Sequence, residues 1–256
     1  MAIYNVGLTH KMLGQLEEAE RLLERAHKEY GRTEGADHGG TLDAASALGH
    51  TYMLLGRTED AETLYLGLLA THEKISGSLS ENALETCHSL AKVYQDVGRH
   101  EEAEKLCYRA LHGFEQTLGP DHVATTDVAY TLFLQMEPEE GIELGQRVLR
   151  SFERLHGPHA RVTNSTADNL GLMFAKLGRL EDAELMWKRA FAGHMDKRGP
   201  MDELTLAAAN NLGLLYKMLG RRQEAEEWLV RSLTGYEALE DCEDATERIR
   251  RELRNL

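Results

Sequence analysis

Cys87 and His88 stand side by side in this chain, and a thiol beside an imidazole is the pairing that makes a thiolate nucleophile. His156 and His159 flank Gly157-Pro158 at a spacing that could seat a metal ion, and Asn164-Ser165-Thr166 spells a glycosylation acceptor. Position argues against each. Neighbours on a helix point about 100° apart, so adjacency does not bring the thiol of Cys87 to the ring of His88. The two loop histidines have no nearby cysteine and no repeated ligand spacing, and nothing resembles a phosphate loop or a catalytic triad motif. The sequence reads as non-enzymatic, with no catalytic residue, no cofactor and no metal site.

The larger signal is repetition. A phrase made of a small-residue stop and an acidic, alanine-centred helix start appears as LGQLEEAE at 13–20, LGRTEDAE at 55–62 and VGRHEEAE at 97–104. It returns as LGRLEDAE at 177–184 and LGRRQEAE at 219–226. Its alanine falls at Ala19, Ala61, Ala103, Ala183 and Ala225, with Gly141 in the place of a sixth; the steps are 42, 42, 38, 42 and 42 residues. A fixed period of this length marks an array of supersecondary units, not a single-core domain.

Aligned on that alanine, the columns keep their chemistry. Twelve residues before it stands a small residue: Gly7, Gly49, Ala91, Ala129, Gly171, Gly213. Three residues further on the side chain is usually large: His10, Tyr52, Tyr94, Leu132, Phe174, Tyr216. Four after the alanine come Leu23, Tyr65, Cys107, Gly145, Trp187 and Leu229. Intervals of three, four, seven and eleven are helical, so each unit is two amphipathic helices with a close contact at the small column. Gly14, Gly56, Gly98, Gly178 and Gly220 close the first helix, and the acidic residues after them lie in the first turn of the second. Cys87 and Cys107 share columns with Ala45 and Leu23, which makes both buried hydrophobes.

This pattern resembles the tetratricopeptide repeat over almost the whole chain. The period exceeds the usual ~34 residues and is most similar to the extended repeats of kinesin light chains, whose NNLALLY segment is close to Asn210-Asn211-Leu212-Gly213-Leu214-Leu215-Tyr216. The resemblance implies an all-α fold, a right-handed α-solenoid of six repeats at about 1–36, 37–78, 79–120, 121–158, 159–200 and 201–242, closed by a capping helix at 243–256. It also implies a concave groove lined by the first helices. That groove holds Tyr4, Asn5, Leu8, Lys11, Ser46, His50, Met53, His88, Lys92, Gln95, Tyr130 and Phe133 from the first four repeats. The last two supply Asp168, Asn169, Leu172, Lys176, Asn210, Asn211, Leu214 and Lys217. In the relatives, asparagines of the NN segment touch ligand main chain; Asn169, Asn210 and Asn211 match that motif and Asn5 does in part. The carboxylate clamp of chaperone-tail receptors has no counterpart here.

Departures from the pattern carry expectations too. The fourth unit lacks four residues between Gly119-Pro120 and Ala129, about one helical turn. Met136, Glu137 and Pro138 replace its turn, so an irregularity or bend is expected around 120–145. Ala245, Ile249, Leu253 and Leu256 form one face of the terminal helix, backed by arginines. At the other end Met1 opens directly into a core-type helix, which implies continuation of the array or self-association through an uncapped edge.

A net charge of −14 disfavours nucleic acid as a partner, and no stretch is apolar enough to span a membrane. Three cysteines without a framework spacing and no secretory signature point to the cytoplasm. The function that follows is a scaffold or adaptor binding an extended peptide of a protein partner in the groove. The alternatives are the sensing or autoinhibitory repeats of a larger signalling protein and, more weakly, an enzyme with a cryptic cysteine or histidine site.

Overall fold

A left-handed glycine ends the first helix of five repeats. Gly14, Gly56, Gly98, Gly178 and Gly220 hold φ between 69° and 75°, a region closed to most side chains. The next N–H reaches back to a carbonyl five residues earlier, from Arg57 to Tyr52 at 2.8 Å and from Arg221 to Tyr216 at 2.9 Å. The carbonyls of the last turn are thereby satisfied within the backbone, and the chain reverses in two residues.

The computed structural model describes residues 2–239 and 242–256; Met1, where the reading of an uncapped edge begins, and residues 240 and 241 lie outside them. The described residues form thirteen α-helices and no strand. They are α1 (Ala2–Met12), α2 (Leu16–Thr33), α3 (Gly39–Leu54), α4 (Thr58–Ser76), α5 (Glu81–Asp96), α6 (His100–Thr117) and α7 (Val123–Phe133). After these come α8 (Pro138–His156), α9 (Arg161–Lys176), α10 (Leu180–Arg198), α11 (Glu203–Met218), α12 (Arg222–Glu237) and α13 (Glu243–Arg254). Among the described residues no helix is long and apolar enough to cross a membrane.

Two compact units divide the chain, Met1–Gln135 and Met136–Leu256. Within the first, each helix from α1 to α7 packs on the next, and the odd-numbered helices also touch one another in order. Within the second, α8 to α13 pack in succession. The division falls inside the irregular fourth repeat. There α7 has 11 residues where α3, α5, α9 and α11 have 16. The lost turn leaves the start of the helix anchored as in other repeats: Thr125 Oγ1 donates to Gly119 O at 2.7 Å, as Thr163 does to Gly157 O and Thr205 to Gly199 O, both at 2.9 Å. Thr125 does so from one turn nearer the small column, so the deletion shortens the helix without rotating it. Pro138, whose missing N–H costs nothing at a helix start, opens α8 in place of a glycine turn.

Paired helices approach closely at the small column, and again where Gly113, Gly193 and Gly235 of the second helices meet Leu84, Asn164 and Leu206. A Cβ on Gly171 would stand 2.6 Å from Trp187 Nε1, and one on Gly213 would stand 2.7 Å from Leu229 Cγ. Gly7 meets Leu23 and Gly49 meets Tyr65 in the same way. Where the facing column carries the smaller Cys107, the small residue is Ala91, and both are fully buried. Volume is conserved across the contact, as dense interiors require.

After Gly56, Gly98 and Gly220 an arginine links the repeat to the one before. Arg99 lies 3.9 Å over the Tyr94 ring and bonds Glu62 of α4 and Glu102 of α6, each at 2.6 Å. Arg221 repeats the arrangement over Tyr216 with Glu184, and Arg57 over Tyr52 with Glu20. Arg179 stacks on Phe174 and bonds Asp182, but Ile142 occupies the place of the preceding-repeat glutamate. Each exposed pair contributes under about 1 kcal/mol; the stacking, which stays within one repeat, holds the guanidinium in place to reach the preceding glutamate.

Gly171→Ala should therefore destabilise the chain by about 1–3 kcal/mol, since a methyl group there overpacks Trp187. The measurement is a urea transition followed by tryptophan fluorescence; an unchanged midpoint would show that α9 and α10 have room to spare.

Candidate functional site

The residues that could have done chemistry are held in inert states. Cys87 and Cys107 are fully buried, and burial pushes both thiols up to about 11, so neither is a thiolate near neutral pH. His88 turns away from Cys87 toward α7, where its Nε2 lies 2.7 Å from Thr131 Oγ1. The Thr131 hydroxyl donates to Asp127 O at 3.0 Å, which leaves it to accept from the ring and places the ring hydrogen on Nε2. His159 bonds Asp196 at 3.0 Å, whereas His156 packs on the Phe152 ring. Asn164 is buried, with its Nδ2 on His159 O at 3.3 Å, and offers no acceptor for a glycan.

In the first unit the odd-numbered helices carry the expected groove residues with unequal exposure. Asn5, His50 and Lys92 are exposed; Tyr4, Leu8, Lys11, Gln95 and Tyr130 are half-buried. Partial burial lowers the His50 pKa, and Lys11 and Lys92 lower it further, so three basic groups from α1, α3 and α5 share one neighbourhood. Two expectations need correction. Phe133 is completely buried at the last position of α7 and belongs to the core, not to the groove. His88 is largely desolvated and bonded to Thr131, so it braces neighbouring helices instead of facing a ligand.

The second unit sorts its candidates in the same fashion. Asp168 Oδ2 pairs with the buried His194 Nε2 at 2.8 Å, and burial raises the Asp168 pKa against the opposing pull of that histidine. Asp168 therefore points into the α9–α10 contact, a third correction to the groove set. Asn169 spends its Nδ2 on Ser165 O of its own helix at 2.9 Å. Lys217 donates to Glu252 Oε2 of α13 at 2.8 Å. Leu172 and Lys176 remain exposed. Asn210 and Asn211 make no side-chain hydrogen bond among the described residues, and with Leu214 they line a pocket of about 340 Å³ shared with α13.

Sequence reasoning overlooked Gln135, whose Nε2 donates to Thr131 O at 3.0 Å, and the arginines of α13 that reach the same pocket. The arginines were legible as a polar backing. Which of them faces α11 is decided by how α13 docks.

Two outcomes follow from these burials. With the chain folded, a chromogenic disulfide reagent should titrate Cys242 quickly and Cys87 and Cys107 slowly, all three becoming fast in urea; rapid labelling of a buried thiol would revive the catalytic reading. Burial depresses His88 to about 3 in the folded state. The unfolded chain takes up a proton near pH 6.5 that the fold refuses, so stability is full above that value and is lost as pH falls through it. Lowered His50 and His72 act in the same sense and raised Asp168 in the opposite one. The urea midpoint should fall below about pH 6.5, and His88→Gln should flatten that slope; an unchanged slope would remove His88 as its source.

Sequence models described as tetratricopeptide repeat match residues 1–74, 123–195 and 162–238, and another of the same description matches 83–124. No curated protein matches by sequence. Among solved structures, BtubC (BKLC) from P. vanneervenii superposes with a TM-score of 0.70 at 22% identity, over 94% of this chain and 93% of that one. Nearly identical TPR-like repeats assigned to a kinesin light chain of Podosopora anserina give 0.64 at 20% identity, covering 77% of this chain and 95% of that one. The apo form of the quorum sensor NprR from B. thuringiensis gives 0.71 at 14% identity, over 97% and 68%. At such identities the likeness is one of fold. Helical hairpins, five of them closed by a left-handed glycine, recur at steps of 42 residues with one of 38, and the repeat models match most of their length: this chain is a member of the tetratricopeptide repeat family.

Proposed function

We propose that the chain is a non-enzymatic scaffold or adaptor that holds an extended peptide segment of a partner protein against its leading helices. Repeats of this family generally serve protein–protein contacts, and the residues with catalytic potential are buried or paired. One observation carries the reading: among the described residues Asn210 and Asn211 have no hydrogen-bond partner for their carboxamides, and they line a pocket with Leu214 and Ile249 on its floor. A carboxamide offers both a donor and an acceptor, which is what the main chain of an extended peptide needs, while Leu214 and the exposed Leu172 offer sockets for its side chains. Three free cysteines fit a reducing compartment, and we place the protein in the cytoplasm.

The test is a peptide selected from a random display library on the intact chain, then titrated by fluorescence anisotropy. Asn210→Ala with Asn211→Ala should weaken binding tenfold or more, about 1.4 kcal/mol. Asn169→Ala should change it little, because that amide is already used by its own helix. Equal affinity for the folded double variant and the wild type would remove these amides from the site.

A further inference from the structure

The four arginines of α13 divide by partner. Arg250 bonds Glu237 at 2.7 Å and lies 3.8 Å from Glu247, and Arg254 bonds Glu247 at 2.8 Å. Arg248 and Arg251 make no hydrogen bond or ion pair among the described residues, and both line the pocket that α13 shares with α11. The floor there is apolar: Ile249 and Tyr236 are buried in a cluster with Leu206 and Leu229, and Leu214 packs against it. One carboxylate lines the pocket, Glu252, and Lys217 already neutralises it at 2.8 Å. Asp244 and Glu247 border the two arginines on their outer side, where Glu247 is engaged by Arg254.

The lining of the pocket shared with α11 thus holds two guanidinium groups and no unneutralised carboxylate over an apolar floor, on a chain whose net charge is −14. Most other arginines that the structure pairs are answered by glutamate or aspartate, as Arg57, Arg99, Arg179, Arg189 and Arg221 show. Side chains three apart on a helix stand about 5–6 Å apart at Cβ, so two guanidinium forks face the same side of the pocket mouth. Each presents paired donors matched to a carboxylate.

We propose that this pocket binds an acidic segment of the partner peptide. An apolar side chain rests on the Leu214–Ile249 floor, neighbouring Asp or Glu carboxylates bond Arg248 and Arg251, and Asn210 and Asn211 hold the main chain. The inference rests on the peptide-binding reading above and gives it a partner chemistry and a place.

The experiment selects random twelve-residue peptides on the wild-type chain and synthesises the winners for anisotropy titration. Enrichment of Asp or Glu beside an apolar residue is expected, with at least tenfold weaker binding to the Arg248→Glu, Arg251→Glu variant. Peptides whose acidic residues are changed to lysine should regain binding to that variant, a charge exchange that a folding defect cannot mimic; circular dichroism checks the fold. Winners without acidic enrichment, or winners indifferent to the charge reversal yet lost on Asn210→Ala with Asn211→Ala, overturn the acidic proposal and keep the peptide-binding reading. Winners indifferent to both variants, or no winners at all, overturn both. Tighter binding of a phosphoserine-substituted peptide than of its Glu or Asp parent would reassign the pocket to phosphorylated partners and overturn the carboxylate.

Discussion

Paired helices lie close in this chain where a residue with no side chain, or with a single methyl, makes room: at the small column of the leading helices and at Gly113, Gly193 and Gly235 of the second ones. At Gly171 and Gly213 the opposing side chain already occupies the space a Cβ would take. Where Cys107 replaces Leu, Tyr or Trp in the facing column, Ala91 replaces Gly, and the gap stays filled. Close approach brings the flanking large columns into contact, with Tyr65, Phe174 and Tyr216 almost wholly buried. The glycine turn then needs only to reverse the chain, and at Arg57, Arg99 and Arg221 the arginine after it stacks on the aromatic ring of its own repeat and pairs with a glutamate of the one before.

With the hairpins built this way, each polar group on a leading helix has one of two fates. Some meet a partner on the next element: His88 with Thr131, Asp168 with His194, Lys217 with Glu252. Asn169 turns back on its own helix. What remains unspent is a small set: the Lys11–His50–Lys92 neighbourhood in the first unit, and Asn210, Asn211, Arg248 and Arg251 in the second. A buried polar atom without a partner is costly, and Asp168 Oδ1 and Asn164 Oδ1 are such atoms. They sit inside hairpins, whereas the free carboxamides and guanidiniums sit where solvent or a ligand can reach them. That contrast separates groups bound to the fold from groups available to a partner.

The fourth repeat shows what happens when the pattern is interrupted. Removing about one helical turn keeps the buried face aligned, so Thr125 can take over the contact made elsewhere by a threonine one turn further back. Replacing the glycine turn by Glu137-Pro138 removes the left-handed closure, and the two compact units separate there. The deletion and the proline are plain in the sequence. That Phe133 becomes core is not, because burial at the last position of α7 is decided by tertiary packing.

The amino-acid order alone determined the helical class, the repeat length, the hairpin turns and the close-packed columns, because these depend on local spacing and on side-chain size recurring at fixed intervals. The resemblance to the repeat family, in turn, implied a candidate surface on one face of each leading helix. Only the tertiary structure decided which members of that face are free. Whether an Asp, Lys or His there is already bonded depends on a residue 26 to 43 positions away, and one register repeats too regularly to distinguish them. The docking of α13 made the sharpest choice: it engaged Lys217 and left Arg248 and Arg251 open beside Asn210 and Asn211.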